Sequence, residues 1–108
     1  MDEHDAVQAL SALAQDTRLR IFRQLVVAGQ AGLTPGQLAD ALQAAPTALS
    51  FHLKELLHAG LVSVQRDGRF LIYRADVARM NALLGFLTDN CCQGEPCLNV
   101  ALPACTSC

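Results

Sequence analysis

The five cysteines of this chain, Cys91, Cys92, Cys97, Cys105 and Cys108, all lie beyond residue 90, and none precedes them. Thiols gathered at this density bind soft metals or metalloids, pair as disulfides, or act as redox switches. The opening Met1-Asp2-Glu3-His4-Asp5 is acidic and has neither the basic nor the apolar region of a signal peptide. A reducing cytoplasm is therefore the expected location, which argues against structural disulfides. Cys105 and Cys108 have Cys-x-x-Cys spacing and could join Cys91 or Cys92 around zinc, and a tail with incidental thiols is the bland alternative.

What the thiols serve depends on the elements that precede them. The 108 residues suffice for one domain with a modest core, and no apolar run is long enough to span a bilayer. Hydrophobic residues make up 52% and aromatic ones only 5%, so the apolar content is mostly Leu, Ala and Val, which suits helices. That is more aliphatic surface than a small monomer usually buries, and a second subunit would cover the excess. The net charge of −2 is unevenly spread. From Asp16 to Arg74 seven basic residues face four acidic ones, a local +3 that leaves −5 elsewhere. A basic centre between acidic ends is compatible with a surface that faces DNA.

Val7, Leu10, Leu13 and Ala14 recur at helical spacing, and Asp16-Thr17 offers a cap for a second helix carrying Leu19, Phe22, Leu25 and Val26. Gly29 and Gly32 end it, and Thr34 followed by Pro35 opens a short third helix with Leu38 and Leu42 on one side. A fourth helix runs from Pro46 to about Ala59, before Gly60. Its Leu49, Leu53, Leu56 and Leu57 share a buried stripe. At about 100° per residue, Thr47, Phe51, Lys54 and His58 then point away, with Ser50 on the flank, while His52 lies beside the stripe as a packed, hydrogen-bonded residue. A face of hydroxyl, ring and ammonium groups is suited to reading base edges. The departure is Ala45, which stands where a capping oxygen is usual and costs about 1 kcal/mol, partly offset by Pro46.

Val62 and Val64 alternate with polar residues, Arg66-Asp67-Gly68-Arg69 makes a turn with Asp-Gly at its centre, and Phe70 to Tyr73 forms a second strand. Arg66 and Arg69 flank that turn and could reach phosphates or the minor groove. A fifth helix from about Asp76 to Asn90 is apolar on two sides, with Val77, Met80, Leu84 and Leu87 on one strip and Leu83 and Phe86 on another. If it continued to Cys91, that cysteine would be in phase with the first strip. Gly94, Pro96 and Pro103 make residues 93 to 108 an irregular tail.

Taken in order, Leu10-Ser11-Ala12-Leu13-Ala14, Asp16-Thr17-Arg18-Leu19-Arg20-Ile21, Leu49-Ser50-Phe51-His52-Leu53-Lys54-Glu55-Leu56, Ala59-Gly60-Leu61-Val62 and the turn at Arg66-Asp67-Gly68-Arg69 resemble the ArsR/SmtB-type repressors. The resemblance covers roughly residues 7 to 90. It implies a mainly α chain with a small β-hairpin, a winged helix-turn-helix that dimerises through its first and last helices. Residues 1–90 are then the DNA-binding and dimerisation domain, and 91–108 a cysteine-rich tail. It also implies a homodimeric repressor of double-stranded operator DNA that is released by a metal or metalloid.

One branch of the family uses a Cys-x-Cys pair near the recognition helix, but Gln43 to Ser50 holds no cysteine. Another holds zinc on Asp and His residues of the last helix, which here has Asp76 and Asp89 but no histidine. Cys91, Cys92 and Cys97 are similar to the C-terminal triad of arsenic-responsive members. Trivalent arsenic, As(III), is soft and takes three thiolates in a pyramid, and Sb(III) behaves alike. The expected metalloid site is therefore Cys91, Cys92 and Cys97, and the expected DNA-binding residues are Thr47, Ser50, Phe51, Lys54, Arg66 and Arg69. Zinc or cadmium, methylated trivalent arsenicals and thiol oxidation stay open as signals, and a metal-scavenging thiol protein without DNA binding is the reading from another class. No nucleophile–base arrangement or phosphate loop is present, so neither an enzyme nor an organic cofactor is expected.

Overall fold

The first helix, α1 (Glu3–Leu13), starts where the Asp2 side chain accepts a hydrogen bond from the Asp5 amide at 2.7 Å. That bond is the main reason the Asp2 carboxylate is held below its ordinary value of 3.8. The computed structural model describes residues 1–89; the thiol segment, and with it the expectation of an irregular tail, lies outside them. After α1 come α2 (Asp16–Ala28), a single 3-10 turn at Gly29–Ala31, α3 (Pro35–Leu42), α4 (Pro46–His58), strands β1 (Val62–Asp67) and β2 (Phe70–Ala75), and α5 (Val77–Thr88). Three helices, a fourth that follows a tight turn and a two-stranded hairpin form a winged helix-turn-helix, mainly α as the sequence predicts.

The local chemistry explains the boundaries. Gln15, one residue before the expected Asp16-Thr17 cap, ends the α1–α2 turn by accepting from the Arg18 amide at 2.8 Å. Its longer side chain reaches the same first-turn donor. Thr34 and Gln37 make a reciprocal capping box at the start of α3, with Pro35 in the first turn. Between α3 and α4 the chain reverses through Gln43, at φ 53°, and the Ala44 amide closes on the Ala39 carbonyl at 3.1 Å. Ala45 precedes α4 with no side-chain cap. The α5 helix begins after Asp76, whose carboxylate accepts from the Arg79 amide at 2.9 Å, and stops at Thr88, short of the expected Asn90. Thr88 Oγ1 donates back to the Leu84 carbonyl at 2.8 Å and Asp89 turns to an extended ψ of 130°; the phase of Cys91 relative to the first strip lies outside the described residues.

The core lies between α2, α3 and α4, where Ile21, Leu25, Leu38, Leu49, Leu53, Leu56 and Leu61 are fully buried. Each such side chain stabilises the fold by about 1.5–3 kcal/mol relative to exposure. Tyr73 from β2 and Leu83 from α5 close it, and α1 contributes the small side chains of Ala6, Ala9 and Ala12. Val7 and Leu10 consequently point outward, 56% and 43% exposed, as do Phe86 and Leu87 on α5. On α2 the buried set is Ile21, Phe22 and Leu25, while Leu19 and Val26 of the expected stripe are exposed, because the core contacts the helix along a narrower line than its apolar pattern covers.

The hairpin is antiparallel, with Val62 opposite Ala75 and Asp67 opposite Phe70. Its two-residue loop is therefore Gly68-Arg69, one position later than an Asp-Gly centre. Gly68 has φ 62° and Arg69 does not lie in the left-handed region, which is the type II′ pattern with glycine first. Among the described residues no helix is long and apolar enough to cross a membrane.

Candidate nucleic-acid interface

The side of α4 opposite its buried leucines is exposed and carries hydroxyl and ammonium groups and one aromatic side chain. Leu49, Leu53 and Leu56 are buried, which fixes the rotation of the helix, and Thr47, Ser50, Phe51 and Lys54 are all exposed on the other side. Thr47 is three and four residues before Ser50 and Phe51, and Lys54 three and four after Phe51 and Ser50, so the four are neighbours on the helix surface. Phe51 is 56% exposed, so half-buried packing does not explain it. The missing cap at Ala45 has a consequence here. With no side-chain oxygen on the first-turn amides, the N-terminal end of α4 keeps donors and the positive pole of its dipole available to a phosphate oxygen.

The wing supplies the second group of cations. Arg66 is exposed on β1 beside the loop and Arg69 is within the loop. Among the described residues neither these two nor Lys54 makes an ion pair, the one such pair being Arg79 to Asp5 at 3.6 Å. Arg74 is different: its Nε donates to the Gln30 carbonyl at 2.6 Å and its Nη1 to Gln65 Oε1 at 2.9 Å, so part of the basic centre serves to brace the wing base. The wing is further held by a two-bond bridge, Leu33 amide to Tyr73 carbonyl at 2.9 Å and Tyr73 amide to Leu33 carbonyl at 2.8 Å. The expected DNA-binding residues thus fall into two exposed groups, one on α4 and one at the wing end.

Arg18 belongs to neither group and was not singled out by sequence reasoning. Its Nε donates to the Ala12 carbonyl at 2.7 Å, near the end of α1, and its Nη1 lies 3.3 Å from His52 Nδ1 in the middle of α4. His52 is half-buried, as its place beside the stripe suggests, and its ring meets Phe51 edge-on, with centroids 5.6 Å apart and planes at 66°. Arg18 and His52 are 34 residues apart, and no local pattern pairs them.

Cys91, Cys92, Cys97, Cys105 and Cys108 lie outside the described residues. Among the described residues no group of three or more His, Cys, Asp and Glu side chains could hold a metal ion. Asp76 is engaged as the cap of α5, and Asp89 is at the other end of that helix, about 20 Å away along its axis.

A sequence profile for a helix-turn-helix domain matches residues 13–65. A protein of Halobacterium salinarum that carries the name of an arsenical resistance operon repressor, ArsR, is 38% identical over 78 residues, which are 72% of this chain and 59% of that protein. The chain therefore spans less than two thirds of that relative. The transcriptional activator HlyU of Vibrio cholerae is 31% identical over 90 residues, covering 83% of this chain and 81% of HlyU. Among solved structures, a homodimeric winged helix-turn-helix DNA-binding domain from Mycobacterium bovis, described as that of a possible ArsR-family regulator, superposes with a TM-score of 0.63. It is 31% identical and covers 81% of each chain.

Proposed function

Because the chain belongs to the ArsR family of winged helix-turn-helix transcriptional regulators, we propose that it binds operator DNA as a homodimer and is released when As(III) or Sb(III) is captured by Cys91, Cys92 and Cys97. The observation that carries the DNA half is the rotation of α4: three leucines buried on one side, and Thr47, Ser50, Phe51 and Lys54 exposed on the other. In this reading α4 enters the major groove, Thr47, Ser50 and Phe51 meet base edges, and Lys54, Arg66 and Arg69 meet phosphates. The exposed Val7, Leu10, Phe86 and Leu87 on α1 and α5 support a dimer through those helices, and the homodimeric neighbour supports a homodimer as such. Residues 1–90 then act as the DNA-binding and dimerisation unit, and 91–108 as the sensing segment.

The metalloid half is supported by the chemistry of three thiols close together after the dimer helix, and by the name of the halobacterial relative. Capture of a pyramidal ion draws Cys91, Cys92 and Cys97 to one point just beyond α5. In a two-fold dimer the recognition helices must meet successive major grooves about 34 Å apart, so a small rotation at α5 takes both off register. Release requires the metalloid to favour the DNA-free form, with a coupling of about 1–3 kcal/mol, and DNA must weaken metalloid binding by the same factor. HlyU bears the name of an activator, so repression is part of the proposal, and a promoter–reporter fusion reads its sign.

The decisive experiment is a gel shift on a duplex selected from random sequence by the native protein. Arsenite should release the native protein and leave a triple Cys91→Ser, Cys92→Ser, Cys97→Ser variant bound. Release that survives the triple change sinks the site. Release by zinc or peroxide where arsenite does nothing transfers the same thiols to another signal, and absence of duplex binding at low salt, where phosphate contacts are strongest, sinks the DNA reading itself.

A further inference from the structure

We propose that Arg18 is a positioning residue for the reading face of α4, holding it to the end of α1 through a path that runs Ala12 carbonyl, Arg18 guanidinium, His52 imidazole and Phe51 ring. The inference rests on the DNA-binding reading of α4 and adds to it the part that fixes how the face is presented.

Each link has a physical basis. The Ala12 carbonyl belongs to the last turn of α1, where carbonyls lack partners within the helix, and Arg18 Nε supplies a donor at 2.7 Å. The guanidinium is planar and has several donors in a fixed fork, so with Nε committed to α1 the direction of Nη1 is set. That direction leads to His52 Nδ1 at 3.3 Å. A guanidinium only donates, so Nδ1 must be the accepting nitrogen, and the ring proton sits on Nε2. The imidazole orientation is thereby determined, and its contact with Phe51, at 5.6 Å and 66°, restrains an aromatic ring that is otherwise exposed.

The path joins two elements with different tasks. The α1 helix carries the outward Val7 and Leu10, and α4 carries Thr47, Ser50, Phe51 and Lys54. The leucine stripe of α4 sets its rotation about its own axis, but a stripe of aliphatic contacts is tolerant of sliding, whereas hydrogen bonds from a rigid fork are directional. Arg18 therefore acts on register: it ties the placement of the base-reading side chains to the helix that faces outward with Val7 and Leu10. The bonds are half-exposed and one is long, so their effect falls on the placement of Phe51 and its neighbours more than on global stability.

The test compares full-length native protein with Arg18→Met, Arg18→Lys, His52→Leu and His52→Asn. Asparagine places an acceptor oxygen close to the position of Nδ1, and leucine does not. Two quantities are read by fluorescence anisotropy: the ratio of affinities for a duplex selected by the native protein and for random-sequence duplex, and the dependence of affinity on salt. Circular dichroism and thermal unfolding follow the fold. Arg18→Met and His52→Leu should each lower the specificity ratio about tenfold, the factor for one lost charge-assisted hydrogen bond, with the salt slope unchanged because the phosphate contacts remain. His52→Asn should recover most of the ratio, Arg18→Lys should not, and the double change Arg18→Met, His52→Leu should lose no more than either single one. The inference is overturned if Arg18→Met keeps the native ratio, if His52→Asn loses as much as His52→Leu, or if the ratio simply follows the loss of thermal stability. If the native protein binds no duplex at any salt concentration, the DNA reading fails, and this inference fails with it for that separate reason.

Discussion

Replacing Gly32 by alanine tests how the wing is attached to the helical body. Gly32 has φ 66° and ψ −176°, a conformation essentially reserved for glycine that costs other residues about 1–3 kcal/mol. An added Cβ would come within 2.6 Å of Ile72 Cγ2 and 2.6 Å of the Tyr73 carbonyl oxygen, with Arg74 Cγ at 3.0 Å. Ile72 can turn aside, but the Tyr73 oxygen is backbone and accepts the Leu33 amide. Relief must therefore move β2 and loosen the Leu33–Tyr73 pair, two bonds of about 1 kcal/mol each. The expected loss is about 3–5 kcal/mol. Gly29 is the internal comparison: it has φ 64° and nothing within 4 Å of an added Cβ, so Gly29→Ala carries only the conformational part. In urea unfolding at matched protein concentration, Gly32→Ala should be about 2 kcal/mol less stable than Gly29→Ala, a midpoint lower by roughly 1 M. Operator affinity should fall as well, since Arg66 and Arg69 travel with the wing. Equal losses for the two variants would refute the close approach as the reason for glycine at this position.

Three further outcomes follow from the same geometry. Lys54→Ala should weaken binding to all duplexes alike and lower the slope of log affinity against log salt by about 1, measured by anisotropy across a salt series; a sequence-dependent loss with an unchanged slope would instead make Lys54 a base reader. Val7→Asp combined with Leu87→Asp should convert a dimer to a folded monomer in sedimentation equilibrium, and an unchanged mass would move the interface away from these strips. Asp2 caps α1 with a carboxylate whose folded value is depressed, so its contribution is fully present above the ordinary 3.8 and is lost as the pH falls through the lower folded value. In an acid titration followed by circular dichroism, Asp2→Asn should lack that component, because asparagine caps the helix without titrating.

The helices and the hairpin could be read ahead of the structure where the signals were local: the Thr34 cap with Pro35, the leucine spacing of α4, and a glycine in a two-residue hairpin. The misses have a common cause. Gln15 capped α2 because a longer amide reached the same donor, the loop centre moved by one residue because strand pairing continued to Asp67–Phe70, and Leu19 and Val26 faced outward because periodicity cannot say how wide a stripe the core will accept. On α4, the exposure of Thr47, Ser50, Phe51 and Lys54 followed from helical phase alone once Leu49, Leu53 and Leu56 were given the inner side.

Local chemistry along the chain thus decided which of the described residues are helix, which face of α4 is exposed, and that every thiol lies beyond residue 90, since capping, periodicity and residue type act over a few neighbouring positions. Only the tertiary structure decided that α1 offers alanines to the core and Val7 and Leu10 to the outside, that Arg74 braces the wing, and that Arg18 reaches both Ala12 and His52. Those outcomes depend on which surfaces meet in space, and contacts between residues far apart in the chain are set by packing volume and by the direction of long side chains, neither of which is written in a local pattern.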